Sequence, residues 1–172
     1  MGRARTGNVS ARVEPRALRE AMSRFPTGVT VVTAIGPSGP AGATANAVAS
    51  LSLEPPMMLA CLDLGSRTLV AVERARVFGI NVLAAGQADL ARRFSTKDPH
   101  PEKWEGVAWE RRAGTPKIGG ALIWLACGLR HIHDGGDHAI ATGPVLDMEA
   151  GAGEPLIFFG GQYRGLDGSA GA

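Results

Sequence analysis

Apolar positions in this chain gather mostly in short runs between glycine- and proline-rich turns. That pattern predicts strands more often than helices. Pro15 can open a helix at its first position. Leu18, Met22 and Phe25 recur at helical spacing, and Pro26 stops that helix. Residues 29–34 are rich in β-branched side chains and predict a strand. Gly36-Pro37-Ser38-Gly39-Pro40 predicts a turn. Residues 42–52 are small and mixed with polar side chains, and predict a second strand with an irregular end. The apolar run 57–63 predicts a buried strand. Residues 68–74 predict a short helix, 77–83 a strand and 87–94 another helix. Residues 122–132 and 138–149 predict long strands, and 156–159 a last short one. The sum is an all-β barrel or sandwich with peripheral helices.

Residues 1–14 are rich in Arg, Gly and Ser without periodicity and read as a mobile tail. Residues 167–172 read as a frayed C-terminal tail, leaving one domain over 15–166. The formal net charge is +2, and most of the basic excess lies in the first twenty residues (Arg3, Arg5, Arg12, Arg16, Arg19). No basic stripe runs through the domain, and aromatic content is 5%, so a nucleic-acid surface is not expected. No eighteen apolar residues run together and no apolar segment opens the chain. A cytoplasmic protein without a membrane span is expected. Cys61 and Cys127 lie in apolar runs with no Cys-x-x-Cys pairing, and read as buried reduced thiols.

Three segments could carry chemistry. In 42–56, small side chains allow a flat ligand to approach the backbone. Thr44, Asn46, Ser50 and Ser52, at even spacing, would share one face of an extended strand. A plain strand with a polar solvent face accounts for the same residues. Asp63-Leu64-Gly65-Ser66-Arg67-Thr68 joins a buried strand to a helix. Its hydroxyls, guanidinium and free amides suit an anion, although Ser66 or Thr68 could be an ordinary helix cap. In 131–138, His131 and His133 could share a strand face, and with Asp134, Asp137 and His138 they raise a metal site. Asp134-Gly135-Gly136-Asp137 reads equally as a turn, and no second cluster completes a metal site. Neither a dinucleotide-binding glycine fingerprint nor a phosphate loop is present.

Together these segments form a known pattern. Phe25-Pro26-Thr27-Gly28-Val29-Thr30-Val31-Val32-Thr33 resembles the opening of the short-chain flavin reductases, the reductase components of two-component flavin monooxygenases. Thr44-Ala45-Asn46, Ser50-Leu51-Ser52-Leu53-Glu54-Pro55-Pro56, Ser66-Arg67-Thr68, Phe78-Gly79-Ile80-Asn81-Val82-Leu83, Leu90-Ala91-Arg92-Arg93-Phe94, Gly136-Asp137-His138 and Gln162-Tyr163-Arg164 follow in that family's order. The resemblance implies an FMN-binding split β-barrel of Greek-key topology, a homodimer, and hydride transfer from NADH or NADPH to FMN or FAD. The reduced flavin would go to a partner monooxygenase. It further implies flavin contacts from Thr44, Ala45, Asn46, Ser50, Leu51 and Ser52, and phosphate contacts from Ser66, Arg67 and Thr68. Asn81, Arg93 and Phe94 would add contacts. His138 of the Gly136-Asp137-His138 motif would lie near the nicotinamide, oriented by Asp137, while Tyr163 and Arg164 would close the site. No metal is implied. Ala47, where many relatives have Ser, and Trp104, where Phe is more usual, depart from the family pattern.

Other readings remain at this point. A passive flavin- or haem-binding module on the same barrel would not need the Gly136-Asp137-His138 motif. An oxidase of pyridoxine-type phosphates would need more basic strand residues than the chain carries. A purely structural protein would not need the small polar strand at 44–52.

Overall fold

The computed structural model describes residues 13–166. The expected tail at 167–172, and all but Val13 and Glu14 of that at 1–14, lie outside the described residues. Helix α1 (Pro15–Met22) begins at its proline as expected, and ends before Phe25. The strands that follow are β1 (Thr27–Gly28), β2 (Thr30–Gly36), β3 (Gly39–Ala45), β4 (Val48–Leu53) and β5 (Pro56–Asp63). Helix α2 (Arg67–Ala75), β6 (Val77–Val82) and helix α3 (Ala88–Ser95) come next, then helix α4 (His100–Trp104). The chain finishes with β7 (Trp109–Arg112), β8 (Thr115–Ile118), β9 (Ile123–Gly128), β10 (His131–Gly135), β11 (His138–Ala150), β12 (Ile157–Phe159) and β13 (Gln162–Arg164).

The main sheet runs in the order β3-β2-β6-β9-β11-β5-β4, with β10 on β11. Its two end strands, β3 and β4, are joined by only Asn46 and Ala47. The ends of the sheet must therefore meet in space, yet they do not pair. The result is the split β-barrel. β11 makes the arrangement possible, because its 13 residues serve both halves: His138 to Pro144 pair β5, and Val145 onward pairs β9.

Burial explains why 29–34 shows a run and not an alternation. Val32 and Ala34 face one core with Leu62, Leu69, Val72, Phe78 and Ile80. Val29 and Val31 face a second core with Leu83, Ala91, Phe94, Trp104, Ile118 and Leu156. A strand covered on both sides buries every position, and the two threonines in it are buried as well, with Thr30 and Thr33 donating their hydroxyls to the Ala45 and Pro116 carbonyls. Cys127 is in the first core, where burial pushes its thiol up to about 12; Cys61 is half-buried, and both are unpaired.

Two expectations need correction. Residues 42–52 are two strands and not one, because the chain turns at Asn46 and Ala47; a further register shift falls between Ser50 and Ser52. Thr44, Asn46, Ser50 and Ser52 therefore do not share a strand face. Residues 122–132 likewise divide into β9 and β10. The β7–β8 hairpin, on which the apolar pattern is silent, carries a network of charges on β7 beside the buried β8 residues Thr115 and Ile118. Arg112 pairs with Asp147 at 2.9 Å and with Glu149, while Lys117 pairs with Glu149 and Glu110.

Asn81 is also a correction. It is fully buried and its amide is spent inside the protein. Nδ2 donates to the Val31 and Pro116 carbonyls and to Thr33 Oγ1, and Oδ1 accepts from the Ile118 amide at 2.8 Å. It ties β6 to β2 and β8, and has no surface for a ligand. Replacing Asn81 with leucine strands the Ile118 amide and the Pro116 carbonyl. The expected loss is about 2–3 kcal/mol of stability, read as a lowered denaturant midpoint at unchanged slope. A midpoint within error of wild type would contradict this role.

Candidate active site

A cleft of about 570 Å³ opens where β3, β5, the 63–68 loop and the end of α3 meet. One wall is the backbone of Gly42, Ala43, Thr44, Ala45 and Asn46. This stretch lies close against α3: a Cβ on Gly42 would fall 2.7 Å from the Phe94 ring. Thr44 Oγ1 donates to the Ala91 carbonyl at 2.7 Å, which fixes the strand to that helix and spends its hydroxyl proton. The small side chains thus leave the strand's backbone as the surface offered to a ligand.

The second wall is the start of α2. Ser66 caps the helix, its Oγ accepting from the Thr68 amide at 3.1 Å. Gly65 N–H donates to Asp63 Oδ1 at 2.6 Å, which holds the loop closed. Arg67 lines the cleft, and among the described residues it has no carboxylate partner. Thr68 is the informative residue. It is fully buried and lines the cleft, yet its Oγ1 has no hydrogen-bond partner. A buried hydroxyl left unpaired costs roughly 1–3 kcal/mol. An anion that accepts from it removes that cost, and the free amides of the helix start favour the same charge. A cap explains Ser66 but leaves Thr68 unexplained. The donor set therefore fits a phosphate.

The third wall comes from β11. His138 lies opposite Asp63 in the β5–β11 register, and the Leu64 amide donates to the Asp137 carbonyl at 3.1 Å. The Gly136 turn is thereby docked on the 63–68 loop. Gly136 takes φ +81°, a left-handed conformation that glycine adopts freely. His138 Nδ1 is 2.7 Å from Asp137 Oδ1, so the ring is held by one nitrogen and Nε2 is left for a ligand. The hydrogen bond to His138 holds the Asp137 carboxyl below its ordinary range. The pair is then intact at neutral pH and is lost only as pH falls through that lowered value.

The fourth wall was not evident from sequence. Ser95 ends α3, Thr96, Lys97 and Asp98 follow it, and all four line the cleft. Lys103 is buried beneath them and donates to the Phe94 and Thr96 carbonyls, which fixes the loop. Trp104 packs edge-on to Phe94 with centroids 4.9 Å apart. The family motif points to Phe94 as a contact, and Trp104 stands where that family more usually has Phe.

Of the expected site residues, Thr44, Ala45, Asn46, Ser66, Arg67, Thr68, Phe94 and His138 meet in this cleft. Gly136 and Asp137 adjoin it through His138 and Leu64, and the remaining ones lie elsewhere. Ser50, Leu51 and Ser52 are on β4, the edge strand beyond the Asn46 turn. Arg93 Nη1 donates to the Glu105 carbonyl at 2.7 Å and does not line the cleft. Nor do Tyr163 and Arg164: Tyr163 stacks near Phe158 beneath Arg92, and Arg164 bonds Gln162. Their placement in β13, paired with β12, holds them away. His131 and His133 do share a face of β10, with rings 5.7 Å apart, and both are exposed. No group of three metal-binding side chains gathers among the described residues.

Comparison with known proteins gives a consistent picture. The family described as flavin reductase like domain matches residues 22–167. A protein of Rhodococcus jostii (strain RHA1), named flavin-dependent monooxygenase, reductase subunit HsaB, is 40% identical over 157 residues. The match takes in 90% of this chain and 80% of that protein. A Streptomyces globisporus protein named NADH-dependent FAD reductase is 38% identical over 152 residues, 86% of this chain and 83% of its own. The crystal structure of BorF, the flavin reductase component of a bacterial two-component tryptophan halogenase, superposes with a TM-score of 0.82. It is 38% identical and covers 89% of this chain and 98% of BorF.

Proposed function

The chain belongs to the flavin reductase-like family, and from that premise we propose that it is an NAD(P)H-dependent flavin reductase. It takes a hydride from NADH or NADPH to FMN or FAD, and the reduced flavin serves a partner monooxygenase. The observation that carries this reading is the meeting, in one cleft, of an unpartnered buried Thr68 hydroxyl and a carboxylate-held His138. The bound nicotinamide and flavin supply the redox chemistry, so the protein's task is alignment. Ser66, Arg67 and Thr68 grip the flavin phosphate. The backbone of Thr44, Ala45 and Asn46 borders the ring system and offers hydrogen bonds in a fixed direction. His138, steered by Asp137, positions the nicotinamide. Because no side chain here must give or take a proton at the reacting carbon, small residues and hydroxyls suffice.

The reading extends to a homodimer. Leu53 on edge strand β4 is 82% exposed, and Leu51, Leu146 and Met148 are exposed with it on β4 and β11. Apolar surface of this kind is covered in working proteins. Covering it with a second copy would bring Ser50, Leu51 and Ser52 to a subunit boundary, where the flavin contacts expected of them could be made. The two unpaired thiols and the lack, among the described residues, of a helix long and apolar enough to cross a membrane favour a cytoplasmic setting.

The phosphate grip is tested with riboflavin, which has the ring system without the phosphate. Arg67→Ala should raise KM for FMN about tenfold and leave KM for riboflavin within twofold. Equal effects on both would contradict it.

A further inference from the structure

Strand β10 pairs with β11 alone, and every one of its residues is exposed. His131 and His133 are two residues apart on it, so both imidazoles stand on one face. In the register they lie opposite Thr142 and Ile140 of β11, and neither lines the cleft. Their ring centroids are 5.7 Å apart and their planes are inclined at 46°. Among the described residues neither ring has a hydrogen-bond or ion-pair partner. The nearby carboxylates are committed elsewhere: Asp134 Oδ1 accepts from the Gly136 amide at 3.0 Å, and Asp137 holds His138. Burial does not account for the pair either, since both rings are exposed.

Two imidazoles with free nitrogens at this spacing can chelate. A ligating nitrogen lies about 2.0–2.1 Å from zinc, with the ring centroid about 1.1 Å further out, so two imidazoles at the tetrahedral angle have centroids about 5.2 Å apart. The pair on β10 exceeds that by about 0.5 Å, a gap that small side-chain rotations close. The backbone is already fixed, because the register with β11 holds all five residues of β10. We propose that His131 and His133 bind a divalent transition-metal ion of the zinc class, through one nitrogen of each ring. Water fills the remaining positions, since no third metal-binding side chain gathers there among the described residues. The site is therefore open and exchangeable, unlike the closed four-ligand sites that hold small folds together. Imidazole donors select zinc, nickel or copper over magnesium and calcium, which take oxygen. The proposal does not depend on the reductase reading.

The test is isothermal titration of Zn²⁺ into the untagged protein, stripped with a chelator and free of flavin. One Zn²⁺ per chain is expected, and Mg²⁺ in excess should not displace it. His131→Ala and His133→Ala should each weaken Zn²⁺ at least about tenfold, because losing one ring of a chelate leaves a single ligand. Both residues are exposed, so both variants should melt with wild type in the absence of metal. His138→Ala is the control for the Asp137–His138 pair and should leave Zn²⁺ affinity within twofold. No Zn²⁺ binding by wild type, or equal affinity in wild type and both β10 variants, would overturn the proposal. A tenfold loss in His138→Ala alone would overturn it too, by placing the ion in the cleft.

Discussion

Replacing His138 with alanine should slow flavin reduction by NADH or NADPH on the order of 10- to 100-fold, while flavin affinity stays within about twofold. The reasoning rests on where the ring is held. His138 closes the cleft opposite the Ser66–Thr68 grip and is not among the residues proposed to hold the flavin phosphate. Its Nδ1 is occupied by Asp137 at 2.7 Å, which leaves the ring one orientation and one free nitrogen. Losing it removes a constraint on the nicotinamide and leaves the phosphate grip untouched. Asp137→Asn should give a smaller loss of the same kind, since the asparagine oxygen can still accept from Nδ1. As Asp137 has a lowered pKa, the orienting pair persists through the neutral range and weakens only on acidification through that value. Single-turnover rates alongside flavin binding separate the two effects. An unchanged rate in His138→Ala would remove the residue from the mechanism.

The largest effect on stability should come from Gly143→Ala. A Cβ at this position would sit 1.7 Å from the Gly128 carbonyl oxygen and 2.7 Å from its carbon. Both are backbone atoms, so no rotamer change relieves the overlap. Gly143 lies just before β11 passes from β5 to β9, where the Thr142 carbonyl also accepts from the Arg130 amide. The sheet must part at its central strand to admit one methyl group. The expected cost is at least about 4 kcal/mol, a drop in Tm of roughly 8–16 °C for a domain of this size. Gly28→Ala is the control, because nothing lies within 4 Å of a Cβ there. It should stay within about 0.5 kcal/mol of wild type. Equal melting of the two variants would refute the packing argument.

Sequence patterning reached those elements whose residues bury apolar surface. Residues 57–63 and 77–83 were expected as strands and are β5 and β6, and 138–149 is β11 almost in full. The helices at 68–74 and 87–94 are α2 and α3 with ends moved by about a residue. Patterning failed where other forces set the structure. Trp-Glu-Arg-Arg in β7 has no apolar alternation and carries Arg112, which pairs with Asp147 and Glu149. β10 is exposed at every position. α4 is five residues long, too short to display a period. The Asn46 turn was hidden by its own neighbours, since small residues read alike in strand and bend. That turn is also why the site was only partly legible. Ser66, Arg67, Thr68 and His138 were found as motifs at the ends of recognisable strands. Ser50, Leu51 and Ser52 were carried past the turn to a different surface. Lys103 and the 95–98 loop gave no sequence signal, because their role depends on packing against Phe94.

The most direct test is to mix the protein with FAD or FMN in the absence of oxygen, add NADH or NADPH, and follow the visible absorbance of the flavin. Rapid bleaching, one flavin per nicotinamide oxidised and slowed by deuterium at the transferred position, is the predicted result. Tight flavin binding with no bleaching by either donor would contradict the account and leave a barrel that holds flavin without reducing it.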